Sequence, residues 1–285
     1  MKVMRKDLIL IFILSSLFLQ CTEDKPNNEA ILALLAIPAL NSSSSVGPCP
    51  PNELPLDIPI ANTVVQAPST VSGFSDPKKA INGICGGGEL SGSLDVYALN
   101  LTGAGATLIL SWGGKTVKNG TGIDFVVYEN PFRVSETGDR YAFDPMVVQV
   151  SLNGTNYCGF DLSGFDPTPA NNNLIFSWPR FGGLRPVIYN MATKHFSLDE
   201  LFSTAGNGFL VGGGDGFDLD DLIIGGPGAN CDATARDEVR LNGFKFIKMI
   251  SATAVTNPNT ANPYPYPHSY NNGPDIDGVV ARVVE

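Results

Sequence analysis

The stretch Gly122-Ile123-Asp124-Phe125-Val126-Val127-Tyr128-Glu129-Asn130 decides the fold. Residues 123–128 are largely β-branched or aromatic, and turn-forming Gly122 and Asn130 bound them. The run is too short for a stable helix and reads as a strand. Working outward, comparable runs occupy residues 94–99, 107–112, 146–152, 244–250 and 279–284, with Gly-, Pro- and Asn-rich loops between them. Short strands spaced in this way predict a sandwich or barrel rather than βαβ units. Helix signals are few. Asp76-Pro77 starts one short turn that Gly83 can end, and Ser197-Leu198-Asp199-Glu200 is a capping box opening a helix of about two turns. No internal repeat is present, which argues against a propeller or solenoid. The expectation is an all-β protein with one or two short helices.

The chain has 285 residues, 31 of them Gly and 21 Pro, and a net charge of −10. Phosphate-backbone binding depends on clustered Lys and Arg, so nucleic acid is not an expected partner. Two histidines argue against a His-rich zinc site or a His-dependent hydrolase.

The N-terminus reads as an export signal. Lys2, Arg5 and Lys6 precede an apolar run over residues 8–19, too short to span a bilayer. The run meets Gln20-Cys21, so residues 1–20 are expected to be a signal peptide and Cys21 the lipidated N-terminus. Phe18, Leu19 and Gln20 depart from the usual Leu–small–Gly/Ala pattern, and the segment resembles the looser lipoboxes of spirochaetes. An ordinary signal peptide cut nearby is the alternative. Removing residues 1–20 takes three cations and one anion from a chain of −10, leaving −12. An anionic lipid surface would repel that charge, so the acyl chains rather than electrostatics must anchor it. Residues 21–62 read as a lipidated tether, with a short apolar helix over 29–36 and a Ser- and Pro-rich linker over 41–51. A β-sandwich domain is expected over 63–285. The expected location is the cell envelope, on the outer membrane and surface-exposed. Glu23 and Asp24, just after Cys21, are also compatible with inner-membrane retention in some bacteria.

Setting Cys21 aside leaves Cys49, Cys85, Cys158 and Cys231, an even number suited to an oxidising compartment. No CxxC pair occurs, which weakens a zinc or redox-motif reading. Three pairings are open; nearness along the chain favours Cys49–Cys85 with Cys158–Cys231. Free buried thiols are the other reading.

Four blocks, in order, carry a family resemblance: Gly92-Ser93-Leu94-Asp95-Val96, the 122–130 stretch, Gly213-Gly214-Asp215-Gly216-Phe217-Asp218-Leu219-Asp220-Asp221-Leu222, and Asp275-Ile276-Asp277-Gly278-Val279. Together they resemble the bacterial secreted domains called cell surface proteins, over residues 66–285. The resemblance implies a jelly-roll sandwich of the galactose-binding or discoidin type, and it carries no firm activity with it.

Candidate chemistry is acidic. Asp124 and Glu129 bracket one strand, Asp215, Asp218 and Asp220 crowd a Gly-rich loop, and Asp275 and Asp277 precede the last strand. Ca2+ takes six to eight oxygen ligands, which such segments can supply, so a structural Ca2+ is one expectation. If the last strand lies beside an early one, Glu129 and Asp277 converge. Each Asp equally suits turn and capping chemistry, its carboxylate accepting backbone N–H groups. No carboxylate pair is fixed at a glycosidase separation, and no GxSxG elbow is present. Tyr264, Tyr266 and Tyr270 lie in a Pro-rich segment that either presents rings to sugars or peptides or wraps the sandwich and buries them. The expected function is therefore non-catalytic binding of a glycan or a host or matrix protein at the cell surface. A structural envelope lipoprotein without a soluble ligand and a carbohydrate-active hydrolase are the alternatives.

Overall fold

A computed structural model describes residues 49–136, 138–168, 173–267 and 272–285. The signal segment, Cys21, the 29–36 helix, most of the linker, Tyr270 and His268 lie outside the described residues.

In chain order the strands begin with β1 (Thr63–Gln66), β2 (Tyr97–Ala98), β3 (Thr107–Ser111) and β4 (Phe125–Tyr128). Next come β5 (Phe132–Arg133), β6 (Tyr141–Ala142), β7 (Met146–Ser151) and β8 (Cys158–Phe160). Helix α1 (Leu198–Leu201) precedes β9 (Asp215–Phe217) and β10 (Leu222–Ile223); helix α2 (Ala233–Asn242) precedes β11 (Phe246–Ser251), β12 (Asp275–Ile276) and β13 (Gly278–Ala281). The protein is thus β-rich with few helices, and its strands pair antiparallel.

A six-stranded sheet runs β1-β3-β11-β7-β8-β10 and a three-stranded sheet runs β13-β4-β9. At the centre of the larger sheet, Ile247 pairs with Leu110 on one side and Val150 on the other. These side chains, with Leu108, Val148 and Met249, share one buried cluster with Phe125, Val127, Phe217 and Val279 of the smaller sheet. Phe125 ties the layers: its ring stacks on Phe217 at 5.2 Å and meets Phe244 edge-on at 5.1 Å. Burying one such ring contributes roughly 1.5–3 kcal/mol.

The decisive Phe125–Tyr128 run lacks alternation because both its faces are covered. Phe125 and Val127 face the larger sheet, while Val126 and Tyr128 enter a second cluster with Val187, Tyr189, Leu201 and Val280. A strand buried on both faces has no polar face to display. A third cluster gathers Phe143, Phe165, Trp178, Phe181 and Tyr264.

The sulfurs pair Cys49–Cys85 and Cys158–Cys231, the pairing that nearness along the chain favours. The capping box forms, with Ser197 Oγ accepting the Glu200 N–H, but α1 lasts one turn rather than two. Phe202 then takes up backbone angles outside the helix. Helix α2 answers to no expected element. Asp232 caps it, Gly243 ends it at φ +85°, and only Ala235 and Val239 are buried along it.

Candidate functional site

Strand pairing positions the site. Strand β13 lies against β4 with Gly278 opposite Tyr128, so the segment before β13 arrives where β4 runs out into Glu129. The Asp275 N–H donates to Glu129 Oε1 at 2.7 Å. Asp144, between β6 and β7, brings a third carboxylate, and one oxygen from each of Glu129, Asp144 and Asp275 lies within 4.8 Å of the others. Tyr266 Oη sits 2.5 Å from Asp144 Oδ1 and 2.6 Å from the Asn272 carbonyl oxygen. The Asn272 amide donates to Asp275 Oδ1 at 3.1 Å.

Among the described residues this cluster is built from oxygens. Glu129 is 3% exposed, and its Oε2 is buried without a hydrogen-bond partner. Burial raises its carboxyl well above the ordinary range, with Asp144 and Asp275 adding repulsion. Burial likewise pushes Asp275 up to about 7, helped by Asp144 and opposed by the Asn130 and Asn272 side chains. Burial and the neighbouring Asp144 raise the Tyr266 phenol, so it stays protonated.

The other acidic candidates are distributed elsewhere. Asp277 is fully buried, and both its oxygens face the Cys85 N–H, at 2.8 and 3.1 Å. It is Asp275, not Asp277, that meets Glu129. Asp124 stands at the opposite end of β4 and accepts the Gly120 N–H at 2.7 Å and the Leu219 N–H at 2.8 Å. Asp215 is held by Arg185 Nη1 at 2.6 Å and the Leu184 N–H at 2.8 Å. Asp218 accepts the Asp220 N–H as the cap of a short 3-10 turn, and Asp220 accepts from the Asn119 amide. These five are occupied by donors that hold the fold.

Comparison with protein-family models, curated proteins and solved structures finds no match.

Tyr264 presents no ring face to solvent. It is 2% exposed and packs edge-on against Phe181 at 5.0 Å and Phe165 at 5.4 Å. Tyr266 is half-buried with its hydroxyl in the acidic pocket. Trp112 and Trp178 are likewise core residues, and His195 is exposed. The residue that sequence reasoning missed is Asp144. In Phe143-Asp144-Pro145 an Asp-Pro pair ahead of a strand reads as a turn, and only the tertiary fold brings it to Glu129.

Proposed function

We propose that the chain is an exported envelope lipoprotein, anchored through acyl chains on Cys21 and displayed at the outer-membrane surface. Its domain would be a non-catalytic binding module for a glycan or a host or matrix protein. The observation that carries the export reading is the pair of disulfides, which span 36 and 73 residues. Such bridges persist in oxidising compartments and are rare where thiols are kept reduced. A jelly-roll is the finer fold reading. Its support is the way successive long strands change sheets: β3 in the larger, β4 in the smaller, β7 and β8 in the larger, β9 in the smaller, β11 in the larger and β13 in the smaller.

Binding is favoured over hydrolysis by what the buried carboxylates touch. Among the described residues these are Asp124, Glu129, Asp215 and Asp277. Each meets backbone N–H groups, Arg185 or the acidic pocket, and none faces a second carboxylate across an open cleft as glycosidase acids do. The reading would seat a glycan on the larger sheet beside Thr107 of β3 and Ile250 of β11. There a depression of about 640 Å³ is lined by Thr102, Thr107, Thr256, Ile250 and Val255. Hydroxyls beside apolar side chains suit the mixed faces of a sugar.

The test uses intact cells that express the full chain. Added protease should remove the domain, and Cys21→Ala should release the protein from the membrane fraction. Protection from protease would sink the surface reading and favour a structural envelope lipoprotein. Binding to glycan and matrix-protein arrays should exceed that of an unrelated acidic lipoprotein; turnover of an arrayed glycan would instead favour a hydrolase.

A further inference from the structure

We propose that Glu129, Asp144 and Asp275 bind a divalent cation of the Ca2+ type, which pins the C-terminal strand and the Tyr266 segment to the end of β4. The site stands on side-chain geometry and does not depend on the envelope reading.

Two independent features point to a cation. The first is the gathering of three carboxylates from distant parts of the chain, with one oxygen of each within 4.8 Å of the others. The second is Glu129 itself. Its Oε1 is satisfied by the Asp275 N–H, but its Oε2 is buried and meets no donor. A buried, unpartnered carboxylate oxygen is costly, and a bound cation would remove that cost. The groups that raise the Glu129 carboxyl are burial and two more acids; among the described residues those that oppose it are the backbone N–H groups of Asp275 and Asn130, neither of them a cationic side chain, and of the two it is Asp275 that lies at hydrogen-bond distance.

The donor set selects the ion. All three ligands are hard oxygens, which exclude a preference for thiolate- or imidazole-seeking metals. With Ca–O bonds of about 2.4 Å, ligands on opposite sides of the ion stand about 4.8 Å apart, so one Ca2+ can span the three carboxylates. Mg2+ demands shorter octahedral bonds and gives up its waters reluctantly, which suits a 97% buried carboxylate poorly. The Asn272 carbonyl, already beside Tyr266 Oη, supplies a further oxygen in the same neighbourhood.

The consequence is mechanical. Residue 129 directly follows β4, residue 144 precedes β7 and residue 275 begins β12, so one ion would tie three segments that no disulfide joins. Tyr266 follows through Asp144, so the ion would also hold the Tyr266 hydroxyl and the Asn272 carbonyl that it meets.

The experiment is calorimetric titration and thermal melting of the full-length protein with CaCl2, with MgCl2 and with EGTA. One Ca2+ should bind per chain. At a hundredfold excess over Kd, Tm should rise by roughly 5–10 °C over the EGTA value. Glu129→Gln and Asp144→Asn should each weaken binding at least tenfold, and Asp220→Asn, on the exposed loop, should leave it unchanged. Hydrogen exchange at Tyr266 and at residues 272–275 should slow when Ca2+ is added. If Glu129→Gln does not fold, Asp144→Asn and Asp275→Asn carry the same test. An unchanged Tm in Ca2+ and EGTA overturns the site, as does full binding in the carboxamide variants; an equal response to Mg2+ overturns the Ca2+ assignment.

Discussion

Asp277 and Cys85, 192 residues apart, meet through a single N–H: both carboxylate oxygens of Asp277 lie within 3.1 Å of the Cys85 amide nitrogen. The contact joins the start of the last strand to the segment that the Cys49–Cys85 disulfide holds. Asp277→Ala would leave that N–H buried with no acceptor, costing roughly 1–3 kcal/mol. Asp277→Asn keeps an acceptor and removes a carboxylate that burial already pushes well above its ordinary range, so its loss should be smaller. Urea unfolding of both variants with disulfides intact checks this; equal losses would refute it.

The same contact explains what the sequence could and could not say. Asp275 and Asp277 were visible as two acids ahead of a strand, but not as acids with different destinations. Just after them β13 opens on Gly278, at φ +154°. Glu129 and Asp275 were legible because they flank strands with continuous apolar runs, β4 and β13. Strand β9 was hidden because three residues, Asp215–Phe217, become a strand only by pairing with Phe125–Val127. Helix α2 was hidden because only Ala235 and Val239 of its side chains are buried. Its cap Asp232 and its stop Asn242-Gly243 were readable; an apolar stripe was not.

Gly213 should be irreplaceable. Its φ is +73°, and an added Cβ would fall 1.9 Å from the Pro186 carbonyl oxygen and 2.8 Å from the Ile188 nitrogen. Gly213→Ala combines a left-handed backbone penalty with a backbone clash, together roughly 3 kcal/mol or more. Gly225, at φ +64°, has open space where its Cβ would go, so Gly225→Ala should cost only about 1 kcal/mol. Soluble yield and Tm of the two variants separate the effects. A Gly213→Ala protein as stable as Gly225→Ala would contradict the packing at this corner.

The Cys158–Cys231 bridge fastens β8 to the residue before the Asp232 cap, closing a loop with a sequence separation of 73. Loop-closure entropy for a ring of that size is worth about 4 kcal/mol. The double variant Cys158→Ala/Cys231→Ala should lose stability on that scale. Helix α2 should exchange amide protons faster than β11 does, since it is held by two buried side chains, this bridge and the Arg240 contacts with Asp220, Leu222 and Asn119, whereas β11 pairs along its length with β3 and β7. Equal exchange rates in the two elements would argue that the helix is held by something else.

The pH dependence of stability should differ with and without the cation. In the folded chain burial raises Asp124 to about 6, with Asp218 and Asp220 adding to it against the bonds from Leu219 and Gly120. Asp275 rises to about 7. Both hold their protons to higher pH than an unfolded Asp at about 3.9, so the native state binds more protons between pH 4 and 7. Stability from these groups is fully present below pH 4 and is lost as pH rises through 6 and 7. In EGTA, therefore, Tm should fall from pH 5 to pH 7.5. Ca2+ at the proposed site would take the deprotonated carboxylates of Glu129 and Asp275, so in saturating Ca2+ the contribution of Asp275 should reverse and Tm should rise or level over the same range. Asp124 lies at the far end of β4 from that pocket. Asp124→Asn should thus flatten its own share of the slope in EGTA and leave the Ca2+-dependent difference intact. Parallel Tm–pH curves with and without Ca2+ would show that the Glu129 pocket does not exchange protons for metal.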